Sequence, residues 1–134
     1  MSPKIMIWTV FLAFLVTALG LGWHDQLFSF TGSLPAGKYA IWAVFLVFLG
    51  YSIHCTFREN FFRSFRQVLE LHWGRQIVMD LGLGLCLMLF IVYLHEGSLL
   101  AAALWLVPTL AFGNLATLLY VAIHYDALVA RFLA

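Results

Sequence analysis

Four of the five histidines in this chain close an apolar run: His24, His54, His95 and His124. Imidazole is the side chain that ligates haem iron and transition metals and moves protons near neutral pH. His54 lies one turn beyond Gly50, and His124 follows Ala116 and Tyr120 at the same four-residue interval. That spacing predicts two rings pointing inward at one end of a helical bundle. Paired imidazoles from facing helices are the axial set of a b-type haem. With Asp126 or Cys55 as a third ligand, the same pair would hold a metal ion. At the other end, His24–Asp25 and His95–Glu96 form a second histidine/carboxylate group suited to a metal. The plain reading of all four is an amphipathic ring at a water–apolar boundary.

Two further polar residues lie inside apolar runs. Asp80 is the most costly, because a carboxylate within a membrane span is expensive and is paired, neutralised or functional. Its candidate partners are Arg75, Asn114, His54 and His124. It reads as a proton relay or cation site, or as a carboxylate tying its helix to the basic loop nearby. Asn114 follows Gly113 in the middle of the last run and is expected to hydrogen-bond across the bundle. No serine sits in a nucleophile elbow. The glycines of Leu81–Gly84 fall inside a span and read as close packing, not a phosphate cradle. No catalytic residue is assigned, and an enzyme is the weaker reading.

The elements that must position these residues follow from hydropathy. The chain is 64% apolar and 10% charged, whereas soluble domains carry about a quarter charged residues. A 134-residue soluble domain would leave much of that apolar surface in water. Apolar runs at 5–22, 38–55, 76–95 and 99–123 have spanning length, about 17–25 residues. The expected fold class is therefore all-α: one integral membrane domain over 1–134, a four-span helical bundle. The first run is longer than a signal-peptide core, roughly 7–15 residues, and reads as a retained signal anchor. Pro108 is expected to kink the last run.

Residues 57–73 form an exception among the connections. Phe57, Phe61, Phe62, Phe65, Val68, Leu69 and Trp73 recur at helical spacing, with arginine, glutamate and glutamine opposite. This predicts an amphipathic helix lying flat at a membrane surface. Small residues also form stripes: Thr9, Ala13, Thr17 and Gly20; Ala40, Ala43, Val47 and Gly50; Ala102, Thr109, Gly113 and Ala116. These are expected to face inward and bring helix backbones together, with bulky Phe and Leu turned to lipid.

Charge sets the expected orientation. Lys4, Arg58, Arg63, Arg66, Arg75 and Arg131 fall on one side of a four-span arrangement, and Lys38 alone on the other. Basic residues near span ends stay cytoplasmic, so both termini and the 57–73 segment are expected inside, in a bacterial inner membrane. A net charge of +1 excludes a field that would recruit nucleic acid. Cys55 and Cys86 are not spaced as a redox or zinc pair.

Asp80-Leu-Gly-Leu-Gly84, Trp105, Gly113-Asn114 and Tyr120 resemble the second half of small, uncharacterised bacterial four-helix inner-membrane proteins, over roughly residues 73–125. The resemblance implies a four-helix membrane fold and no catalytic role. Three functions stay open on this reading. The first is an accessory or scaffold subunit in lipid, packing with other membrane subunits or with itself. The second is a redox subunit with haem b or a metal ion on inward histidines. The third is an oligomeric transporter or channel coupled through Asp80.

Overall fold

The computed structural model describes residues 2–134, and among them there are seven helices and no strand. The helices are α1 (Pro3–Leu21), α2 (Pro35–Arg58), α3 (Phe61–Glu70), α4 (His72–Glu96), α5 (Leu99–Phe112), α6 (Asn114–Ile123) and α7 (Tyr125–Leu133). Local chemistry sets most boundaries. Ser2, Asn60 and Ser98 accept backbone N–H bonds from the first turns of α1, α3 and α5, which otherwise lack partners. Pro3 and Pro35 occupy first-turn positions, where a missing N–H costs nothing. Gly97 closes α4 at φ +65°.

Helices α1, α2 and α4 are long and apolar enough to cross a membrane. The last apolar run is not one span. It breaks at Gly113 into α5 and α6, which fold back on each other as a hairpin. The ring contacts require this: Trp105 and Tyr120 are fifteen residues apart in sequence, yet their rings lie 4.9 Å apart. A straight helix would separate them by about 22 Å. Phe112 meets Phe11 at mid-length of α1, while His24, beyond the end of α1, bonds the Ile123 carbonyl. Helix α5 therefore runs into the bundle and α6 returns to the end it left. With 14 residues, α5 extends about 21 Å, short of a hydrocarbon core of about 30 Å.

Helix α6 is the centre of the molecule. Ala116, Leu119, Tyr120 and Ala122 are wholly buried. One side packs Leu115, Leu119 and Ile123 against Phe11 of α1, Phe45 of α2 and Leu27 of the first loop. The other side packs Tyr120 against Val92 of α4 and Leu128 of α7. The break is sealed locally: the Gly113 N–H donates to the Thr109 carbonyl, and the Thr117 hydroxyl donates to Asn114 Oδ1. Asn114 thus bonds within the first turn of α6, and among the described residues it makes no bond across the bundle. Gly113 has φ +58° and ψ −129°, a backbone region essentially restricted to glycine.

The return of α6 also moves the C-terminus. Helix α7 turns 73° from α6 and lies at the same end as the 22–34 loop. Tyr125 donates to the Leu34 carbonyl, and Arg131 reaches the His95 carbonyl. The start of α1 lies at the opposite end of the bundle, an arrangement that differs from the expectation of both termini at one end. Five basic residues (Lys4, Arg58, Arg63, Arg66 and Arg75) remain at that opposite end, and Arg131 joins Lys38.

Lys38 is not a snorkelling interfacial residue. It is 1% exposed, and its ammonium donates to the Gln26 carbonyl, the Ser29 carbonyl (2.8 Å) and Asp126 Oδ2 (2.7 Å). Three donors meet three acceptors, tying the first loop, the start of α2 and α7 together. Close approach here needs glycine: a Cβ on Gly37 would sit 2.0 Å from the Tyr125 hydroxyl, and one on Gly32 2.7 Å from Asp126 Oδ1.

The amphipathic segment is shorter than expected. Helix α2 continues to Arg58 and α4 begins at His72, leaving α3 as ten residues with no side chain buried. Its Phe61 and Phe65 rings stack at 5.5 Å on an open face. The small-residue stripes of α1 and α2 point outward, not inward. Thr9, Ala13, Thr17, Gly20, Ala40, Ala43, Val47 and Gly50 are all exposed, while Phe11 and Phe45 are buried. The reason is α6, whose own small residues already supply the close approach, so its neighbours fill the remaining space with rings.

Candidate functional site

The return of α6 brings His124 to the end of α4. His124 Nε2 lies 3.6 Å from Glu96 Oε1, and His95 Nδ1 lies 3.7 Å from the same oxygen. The two imidazole rings are 5.0 Å apart. One ligand-capable atom from each of His95, Glu96 and His124 falls within 4.8 Å of the others. Each position has a local cause. His95 and Glu96 are the last residues of α4 before the Gly97 cap, and His124 is the hinge residue between α6 and α7.

Tyr120 holds the group together from below. Its hydroxyl donates to Glu96 Oε1 at 2.9 Å and lies 2.7 Å from His95 Nδ1, which therefore donates to it. The Tyr120 ring packs on Trp105 and sits 4.5 Å from the His124 ring. The side chains of His95, Glu96 and His124 are 15%, 29% and 23% exposed. The cluster is thus shielded on its inner side and reachable from outside. Burial pushes His124 below the usual histidine range; the Glu96 carboxylate opposes that shift, and His95 and His24 add to it.

The residues singled out from sequence are distributed differently from the expectation. His54 and His124 do not meet. His54 is near the far end of α2, stacked on Tyr51. It lies sixteen residues beyond Lys38, about 24 Å along the helix. A haem bridging these two is therefore not built in one chain. Cys55 is an exposed free thiol at that same far end, and Asp126 is committed to Lys38. Of the expected metal group, His95 and Glu96 are together. His24 instead donates through Nε2 to the Ile123 carbonyl at 2.7 Å, and Asp25 is exposed. Sequence reasoning missed Tyr120 as a polar partner and His124 as a neighbour of His95. The available signals were Pro108 and Gly113 within one run.

Asp80 is on an exposed face of α4, about two turns from its start. Among the described residues it makes no ion pair with Arg75, Asn114, His54 or His124; the Arg75 Nε donates to the Leu69 carbonyl at 2.7 Å. Gly84, one turn on, shares that face and has open space where a Cβ would be.

The chain matches no protein-family model, no curated protein and no solved structure.

Proposed function

We propose that this protein is a membrane-embedded accessory or scaffold subunit that packs against other membrane helices. The observation that carries the reading is Asp80 beside Gly84 on the open face of α4. A carboxylate left in hydrocarbon is costly, and a glycine with nothing near it admits a neighbouring backbone. A partner helix bearing a hydrogen-bond donor or a cation would satisfy the first and fill the second. The outward small faces of α1 and α2 offer further unfilled positions: a Cβ at Gly20 or Gly50 would meet nothing within 4 Å. Enrichment of basic residues at the α3 end supports a bacterial inner membrane with that end in the cytoplasm. Asp80 would line a transport pathway only if neighbouring copies enclosed it, because in one chain it faces outward.

The test is recovery from native membranes after mild crosslinking. The expected result is a partner at fixed stoichiometry, lost in Asp80→Leu and in Gly84→Leu while both variants still insert. A parent chain recovered alone and monodisperse, with no stoichiometric partner, overturns the reading.

A further inference from the structure

We infer that His95, Glu96 and His124 form a binding site for one divalent first-row transition-metal ion, of which zinc is the representative. The site stands on ligand geometry and is independent of the subunit reading above. Zinc binds imidazole nitrogen and carboxylate oxygen at about 2.0–2.2 Å, so neighbouring ligands on a tetrahedron lie about 3.3–3.5 Å apart. The separations from Glu96 Oε1 to the two ring nitrogens, 3.7 and 3.6 Å, are within a few tenths of an ångström of that, and the two ring nitrogens, within 4.8 Å of each other, would draw together on the ion. They are also too long for hydrogen bonds, so Glu96 does not bond either ring directly. Its Oε1 accepts instead from Tyr120.

The donor set has the right chemistry. Two imidazoles and one carboxylate suit zinc and ferrous iron and leave a fourth position open. The ligands come from two elements, with His95 and Glu96 on α4 and His124 on the α6–α7 hinge. An ion would therefore clamp the returning half-helix to the third span. Tyr120 is a positioning residue. When the ion takes His95 through Nδ1, the proton on that nitrogen moves to Nε2, and the Tyr120 hydroxyl continues to donate to Glu96. A carboxylate ligand held by a hydrogen bond is the usual supporting arrangement. His24 fixes the backbone just before His124 by bonding the Ile123 carbonyl. Partial exposure of all three ligands supplies the entry path.

The experiment uses full-length protein without a histidine tag, purified in detergent, stripped with a chelator and dialysed against zinc. One zinc per chain is expected, with a dissociation constant in the low micromolar range or below. Cobalt loading should give the visible d–d bands of a four-coordinate site. Glu96→Gln and His124→Asn should weaken zinc binding at least 30-fold, whereas His54→Asn and His72→Asn leave it unchanged. The cobalt spectrum keeps the test decisive if a ligand variant fails to fold, because it is read on the parent protein. Absence of those bands together with less than 0.2 zinc per chain at about 50 µM free zinc, roughly ten times a low-micromolar constant, overturns the site. So does full binding in folded Glu96→Gln.

Discussion

Replacing Lys38 with methionine should damage the fold more than any conservative change on the outer helix faces. The substitution keeps most of the stem volume and removes the ammonium. Asp126 then loses its cation, and the Gln26 and Ser29 carbonyls lose their donor. Breaking a buried ion pair by removing one partner costs about 3–5 kcal/mol. Asp126 is 18% exposed and can recover part of its hydration, which points to the lower end. About 3 kcal/mol corresponds to roughly a 150-fold fall in the folding constant. Asp126→Asn keeps an acceptor oxygen at the same place but leaves the buried Lys38 ammonium without a counter-charge, and should also cost about 3 kcal/mol. The assay is reversible unfolding in mixed micelles, followed by tryptophan fluorescence, for the parent, both single variants and the double variant. The pair should show a coupling of at least 1 kcal/mol, since the groups touch. A loss under about 1 kcal/mol for Lys38→Met, or strict additivity in the cycle, would refute the view that this contact fastens α7 and the first loop to α2.

Three other outcomes follow from the same geometry. Gly113→Ala places a side chain where φ is +58° and should cost about 1–3 kcal/mol in the same unfolding assay; an unchanged midpoint would mean that the hairpin turn is absent. In a background with Cys55 and Cys86 replaced by serine, single cysteines at Ser2 and Arg131 should react with an impermeant maleimide from opposite sides of sealed vesicles. Labelling of both from one side would restore a continuous fourth span. In metal-free protein, folding shields His124 from protonation, so the unfolded chain takes up its proton first. Stability from this group is then complete above about pH 6.5, falls as pH drops below that value, and levels once folded His124 also protonates. Subtracting the pH–stability curve of His124→Asn from that of the parent should isolate this acid limb; parallel curves would remove it.

The legible part of this protein was whatever depends on one-dimensional pattern. Three apolar runs became long helices because apolar length and the absence of charge dictate a span, whatever packs beside it. The Phe61–Glu70 helix was visible from its period, although its ends were not, since α2 and α4 each extended into the expected segment. The resemblance over residues 73–125 suggested four spans and could not foresee that the last would reverse. Hydropathy is the same for a helix that continues and one that returns.

What only the tertiary structure decided is which ends meet. A glycine permits φ +58° but does not demand it; the return of α6 is selected by the cavity between α1, α2 and α4 that it fills. That single reversal moved His124 from His54 to His95, sent α7 to the first loop, and buried Lys38 against Asp126. It also turned the small faces of α1 and α2 outward, because α6 had already supplied small residues to the core. Composition and period act along the chain and fix solvent class and helix content. Pairings between distant side chains depend on the direction each helix takes after a break, and that is settled by packing in three dimensions.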